Sequence, residues 1–135
     1  MIESIGIDIV EIERVEEAMR KRRERFLDRL FTISEQEYCL SKANCSMYLA
    51  GRFAAKEAVL KVLGTGLRNV KWVDIEIIKD SLGKPHVRLS GKAAALVDEM
   101  GIDHILLSIS HSRRYAVAQA VGVKRGVLTD ESRDG

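Results

Sequence analysis

Apolar and polar residues alternate near the start of the chain and then change to helical spacing. Ile5-Gly6-Ile7-Asp8-Ile9-Val10 has the period of a strand, with Ile5, Ile7 and Ile9 on one face and Gly6, Asp8 and Val10 on the other. Ile12, Val15, Ala18 and Met19 form a narrow apolar stripe that predicts a helix to about Lys21. Ser34-Glu35-Gln36-Glu37 reads as a capping box, with Ser34 as cap and Glu37 as its partner, opening a short helix to about Ser41. A long helix starts near Ser46 or Met47 and stops at Gly64 and Gly66. Trp72 to Ile78 alternates as a half-buried strand, with Val73, Ile75 and Ile77 inward. Asp80 to Lys84 has turn chemistry, and Pro85 to Leu89 is the return strand, its proline at the tolerated first position. Ser90 caps a helix over Lys92–Met100 that Gly101 ends. A second hairpin joins Ile105–His111 to Tyr115–Val121 through Ser112-Arg113-Arg114.

This order predicts an α+β fold with a mostly antiparallel sheet packed against the long central helix. Residues 1–123 form one domain on this reading, and 124–135 form a polar tail outside the fold.

The central helix carries the anomaly. From Phe53 to Leu63 small and apolar residues surround almost the whole cylinder, as in a buried helix. Glu57 and Lys61, one turn apart, share a face with Phe53 and Ala54. Glu before Lys at this spacing is a favourable surface ion pair, worth about 0.2–0.5 kcal/mol. The alternative is a charged site, because ionised groups sink into such a helix only when paired, metal-bound or reactive.

Composition narrows the class. Hydrophobic content of 46% and charged content of 31% suit a soluble globular domain, and a net charge of +2 gives no global pull toward nucleic acid. Cys39 and Cys45 form neither a disulfide framework nor a metal spacing. With no basic leader and no membrane-length apolar run, a cytoplasmic location is expected. Aromatics at 5% weaken any base-stacking role. The one dense basic run, Arg20-Lys21-Arg22-Arg23-Glu24-Arg25, is either a solvated face or a dock for an acidic macromolecule, with Phe26 and Leu27 as its apolar anchor.

Asp8 is the second displaced carboxylate, since Asp is depleted in strands and Gly6 nearby allows close approach of another backbone. It either points to water or works beside Glu57. Two carboxylates, with phosphate and water completing the shell, is a usual way to hold Mg²⁺. Lys61 could then meet a phosphate oxygen. The spacing of a Walker loop is absent, and no nucleophile elbow accompanies Ser108, Ser110 and His111. His86 and His104 read as ordinary surface or edge histidines, and Trp72 as a partly buried anchor.

Three segments together resemble the signatures of the holo-[acyl-carrier-protein] synthase family, the short bacterial 4′-phosphopantetheinyl transferases. They are Gly6–Val10, Phe53–Lys61 with Gly64-Thr65-Gly66, and Ser108–Ser112. The resemblance runs from Met1 to about Val123 and implies a 4′-phosphopantetheinyl transferase-like single domain. It implies transfer of the phosphopantetheine arm of coenzyme A to a serine of acyl carrier protein, releasing adenosine 3′,5′-bisphosphate and activating the carrier for fatty acid synthesis. Asp8 and Glu57 match the family's Mg²⁺ ligands. Glu57 and Lys61 match its catalytic positions, with Glu57 or a metal-bound water as general base. Arg52, Lys56, Lys61, Gly64, Gly66, Pro85, Ser110 and His111 match positions that bind coenzyme A. Arg14, Arg22, Arg25 and Phe26 become the dock for the acidic carrier. The resemblance also implies a homotrimer with sites shared between neighbours, and the small side chains of Tyr115–Val121 would allow close packing. It implies neither nucleic acid nor membrane as a partner. The rivals are a small RNA-binding module, which leaves Asp8 and Glu57 unexplained, and the longer tandem type of transferase, for which this chain is too short.

Overall fold

In the computed structural model, residues 1–64, 66 and 68–124 are described. Strand β1 (Ile2–Glu11) leads into helices α1 (Ile12–Leu30), α2 (Ile33–Leu40) and α3 (Cys45–Leu63). A short 3-10 turn (Trp72–Asp74) precedes the hairpin of β2 (Ile75–Lys79) and β3 (Pro85–Leu89). Helix α4 (Gly91–Met100) then connects to β4 (Ile102–His111) and β5 (Tyr115–Lys124). All strand pairs are antiparallel. The larger sheet has the order β1-β5-β4, and β2-β3 is a separate two-stranded ribbon. The α+β class and the element order agree with the sequence reading.

Helix α3 lies across the inner face of the larger sheet. Ala116, Ala118, Ala120 and Gly122 of β5 face it and are buried. These small residues keep the helix axis close to the sheet. At Gly6 the approach is closest, since a Cβ there would lie 2.1 Å from the Ala58 carbonyl oxygen and 2.9 Å from Lys61 Cβ. Only glycine fits where β1 crosses α3. The helix ends as its sequence predicts. Gly64 takes the left-handed conformation at φ 75°, and its N–H donates to the Leu60 carbonyl at 3.0 Å.

Several expectations need correction. Helix α1 does not stop near Lys21. It continues to Leu30 through a kink at Arg22 (φ −154°, ψ 55°), because Leu27 and Leu30 within the charged stretch bury against the core. The capping box sits two residues earlier than Ser34 and Glu37. Thr32 Oγ1 accepts from Glu35 N–H at 3.2 Å, and Glu35 Oε1 accepts from Thr32 N–H at 2.9 Å. Glu35 also meets a buried lysine, which selects this register over the later one. Trp72–Asp74 is helical rather than extended, although Ile75 and Ile77 point inward as expected. Ser90 occupies the cap position of α4 but makes no side-chain cap bond.

The faces of β1 are the reverse of a solvated Asp8. The face with Gly6, Asp8 and Val10 packs toward α3, while Ile5, Ile7 and Ile9 are 62%, 60% and 62% exposed. The alanines of β5 also turn inward, so they support packing within the chain rather than between chains. Lys124 still belongs to β5, bonded to Met1 through Lys124 N–H to the Met1 carbonyl at 2.8 Å. The rest of the expected tail, residues 125–135, and Thr65 lie outside the described residues.

Candidate active site

The glycine crossing brings the two displaced carboxylates together. Asp8 follows Gly6 by two residues on the same strand face, and Glu57 precedes Ala58 on α3. Their carboxyl groups are in hydrogen-bonding contact. Lys61 Nζ reaches across from the next turn of α3, donating to Asp8 Oδ1 at 3.0 Å and to the Ile7 carbonyl at 2.8 Å. The ion pair expected between Glu57 and Lys61 is thus drawn toward β1. Asp8 is well covered, with its side chain 13% exposed, whereas that of Lys61 is 55% exposed.

Burial, then the hydrogen bond with Asp8, then the negative charge of Asp8 push the Glu57 carboxyl up to about 7, against the opposing pull of Lys61. Two acids held this close share a proton or a cation. Among the described residues no group of three or more His, Cys, Asp or Glu side chains gathers. The donor set is therefore two carboxylates with the remaining positions left to phosphate and water. That composition fits Mg²⁺, a hard ion that keeps several waters.

Glu57 stands between two clefts. One, of about 330 Å³, is lined by Asp8, Arg14, Phe26, Phe53, Glu57 and Tyr115. The other, of about 390 Å³, is lined by Glu57, Leu60, Lys61, Gly64, Gly66 and Trp72. Arg14 and Phe26, predicted from the basic region, thus share a cleft with the carboxylates. Arg22 sits at the kink and Arg25 beyond it, both exposed.

A third cavity, of about 140 Å³, holds Tyr48, Arg52, Lys79, Gly83, Pro85 and His111. Arg52 is 4% exposed, with its guanidinium 4.5 Å from the Tyr38 ring centre and its Nε without a hydrogen-bond partner among the described residues. Burial would raise the Tyr38 hydroxyl, but a hydrogen bond and charge from Lys79, with Arg52 and Lys42, hold it below its ordinary value. This corner is strongly cationic and suits an anion.

Two predicted coenzyme A residues lie elsewhere. Ser110 is exposed on the outer face of β4, opposite Val117. Lys56 faces no cleft: it is 0% exposed, and its ammonium meets Glu35 Oε1 at 2.6 Å and the Trp72 carbonyl at 3.1 Å. Burial lowers its proton affinity and the Glu35 charge opposes that. The lysine is therefore an internal tie rather than a ligand contact. Sequence reasoning missed Glu35, Tyr38, Lys79 and Tyr115. A cap at Ser34 puts Glu35 inside the first helical turn, and the others carry no spacing signal.

Residues 4–120 match the 4′-phosphopantetheinyl transferase superfamily. The chain is 54% identical over 123 residues to the holo-[acyl-carrier-protein] synthase of Alkaliphilus oremlandii, covering 91% of this chain and 100% of that protein. Its fold is similar to the crystal structure of the Neisseria meningitidis holo-[acyl-carrier-protein] synthase, with TM-score 0.84, 36% identity, and coverage of 92% and 100% of the two chains. It is also similar to the Helicobacter pylori enzyme in complex with coenzyme A, with TM-score 0.78, 36% identity, and coverage of 88% and 99%. The chain belongs to the 4′-phosphopantetheinyl transferase superfamily.

The raised Glu57 carboxyl makes stability depend on pH. The folded protein holds this proton more tightly than the unfolded chain, where the group titrates near 4.5. Its stabilising contribution is full below that value and is lost as pH rises through about 7. Metal-free protein is expected to show a falling thermal midpoint across this window. The fall should flatten in Glu57→Gln, and Mg²⁺ should offset it at the alkaline end. An equal fall in Glu57→Gln would assign the pH dependence to other groups.

Proposed function

We propose that this chain transfers the 4′-phosphopantetheine arm of coenzyme A to a serine of an apo acyl carrier protein, with Asp8 and Glu57 as ligands of Mg²⁺. The observation that carries this is the convergence of Asp8, Glu57 and Lys61 where two clefts meet. In the transfer, the serine oxygen bonds to the β-phosphorus and gives up its proton to Glu57 or to a water beside it. The bond from that phosphorus to the bridging oxygen breaks, and adenosine 3′,5′-bisphosphate leaves. Asp8 and Glu57 would hold Mg²⁺, which would supply neutralisation of the diphosphate charge. Lys61 is placed to meet a phosphate oxygen as negative charge develops. Asp8 holds that ammonium beside Glu57.

The coenzyme A residues fall in two places on one chain. Gly64 and Gly66 share a groove with Lys61, whereas Arg52, Pro85 and His111 share the cationic cavity. Arg52 precedes Lys61 by nine residues, which puts the two about 180° apart around α3 and about 13 Å apart along it. A ligand that uses both groups is best served by two copies of the chain. The outer face of the large sheet offers the contact, because Ile5, Ile7, Ile9, Leu106 and Tyr115 are exposed there. A face this apolar is normally covered. We assign it to a homotrimer with shared sites.

Arg14 and Phe26 at the carboxylate cleft, continued by Arg22 and Arg25, form the dock for the acidic carrier. Among the described residues no helix is long and apolar enough to cross a membrane.

The direct test is the mass gain of one phosphopantetheine on apo acyl carrier protein, with coenzyme A and Mg²⁺ supplied and withheld. Asp8→Ala and Glu57→Ala are each expected to lose about 100-fold or more in rate while staying folded. Parent-like rates in both would remove the metal assignment. In the same assay Arg14→Glu should raise KM for the carrier about tenfold with kcat little changed, and an unchanged KM would place the dock elsewhere. For the assembly, Ile7→Glu is expected to convert a trimer to monomers by light scattering. A parent protein that is monomeric at micromolar concentration would contradict the shared site.

A further inference from the structure

Lys56 and Glu35 form an ion pair with both side chains 0% exposed, at 2.6 Å. The pair gathers four parts of the chain. Glu35 Oε1 also accepts from Thr32 N–H at 2.9 Å, and Oε2 accepts from Ile77 N–H at 2.9 Å. Lys56 Nζ donates to the Trp72 carbonyl at 3.1 Å and stands 5.4 Å from the Phe31 ring centre. The start of α2, the middle of β2, the Trp72 segment and α3 thus meet around one ion pair.

An apolar side chain of similar volume would fill this space at lower desolvation cost. What it could not do is fix direction. A buried ammonium must be met by oxygens, so it tolerates only the arrangement in which Glu35 and the Trp72 carbonyl both face it. Trp72 in turn packs edge-on against Phe53, with ring centres 5.2 Å apart, and walls the groove lined by Glu57, Leu60 and Lys61.

We propose that Lys56 is a positioning residue: through the Trp72 carbonyl it sets the indole as the wall of the coenzyme A groove. The inference rests on that groove taking coenzyme A, as argued above. Lys56 touches no reacting atom. Its effect should therefore fall on coenzyme A affinity rather than on the chemical step or on the carrier.

The chain has one tryptophan, so intrinsic fluorescence reads Trp72 alone. Lys56→Met is expected to shift that emission in ligand-free protein. It should raise KM for coenzyme A about tenfold, while kcat and the carrier KM stay within about twofold of the parent. Glu35→Gln removes the counter-charge but leaves a donor on the Trp72 carbonyl. It should lower the thermal midpoint yet keep the emission and coenzyme A KM near parental values. An unchanged emission and KM in folded Lys56→Met would overturn the proposal, as would equal shifts in both variants, which would mark general loosening. Should Lys56→Met not fold, titration of parent protein with coenzyme A decides: Trp72 emission must change with saturation, and a silent titration at concentrations that support turnover refutes the wall. A parent that neither binds nor turns over coenzyme A would sink the groove assignment instead. The ligand-free emission of the variants would still test the tie between Lys56 and Trp72.

Discussion

The contact of β1 with α3 at Gly6 is the constraint from which the site follows. A strand backbone cannot normally lie against a helix carbonyl, because a Cβ stands between them. Here the missing Cβ lets the Ala58 carbonyl occupy its place. Asp8 and Glu57, each within two residues of that contact, then have nowhere to go but toward one another. Burial, the hydrogen bond with Asp8 and its like charge raise the Glu57 carboxyl to about 7, a repulsion that a bound divalent cation would relieve. The alanines along β5 extend the same logic, keeping the whole helix low over the sheet.

Around α3 the charged residues divide by direction rather than by sequence. Arg52 turns to a cationic cavity beside Tyr38 and Lys79. Lys56 turns inward to Glu35. Glu57 and Lys61 turn to β1 and the open clefts. One helix thus carries the internal tie and, in the proposed function, the metal ligand and the ligand contacts. Its near-uniform apolar surface elsewhere fixes its depth, so each charged side chain must find its partner within a narrow range of positions.

The large sheet is finished on one side only. Its inner face is sealed by α3, and its outer face presents isoleucines that a lone chain leaves in water. Burying such side chains is worth about 25 cal/mol per Å² of apolar area. This gives association through that face a driving force.

Periodicity was enough to order the elements, to place the hairpins and to end α3 at Gly64, because these depend on local patterning and turn chemistry. The oddity of Asp8 in a strand and of Glu57 in an apolar helix was also visible, and the resemblance of three separated segments tied them to one chemistry. Charge hid the second half of α1, since Leu27 and Leu30 sit among arginines and only packing shows that they are buried. Which face of β1 turns inward could not be read, because isoleucine on one side and glycine with aspartate on the other reverse the usual pattern. Nor could Lys56 be separated from Lys61. Both are lysines on one helix, and their fates diverge only because Glu35 and Asp8, distant in the chain, reach them from opposite sides. Local sequence determined the elements and the kinds of groups available. Tertiary structure decided which charges meet, because a partner brought in from a distant segment is a property of packing and not of spacing.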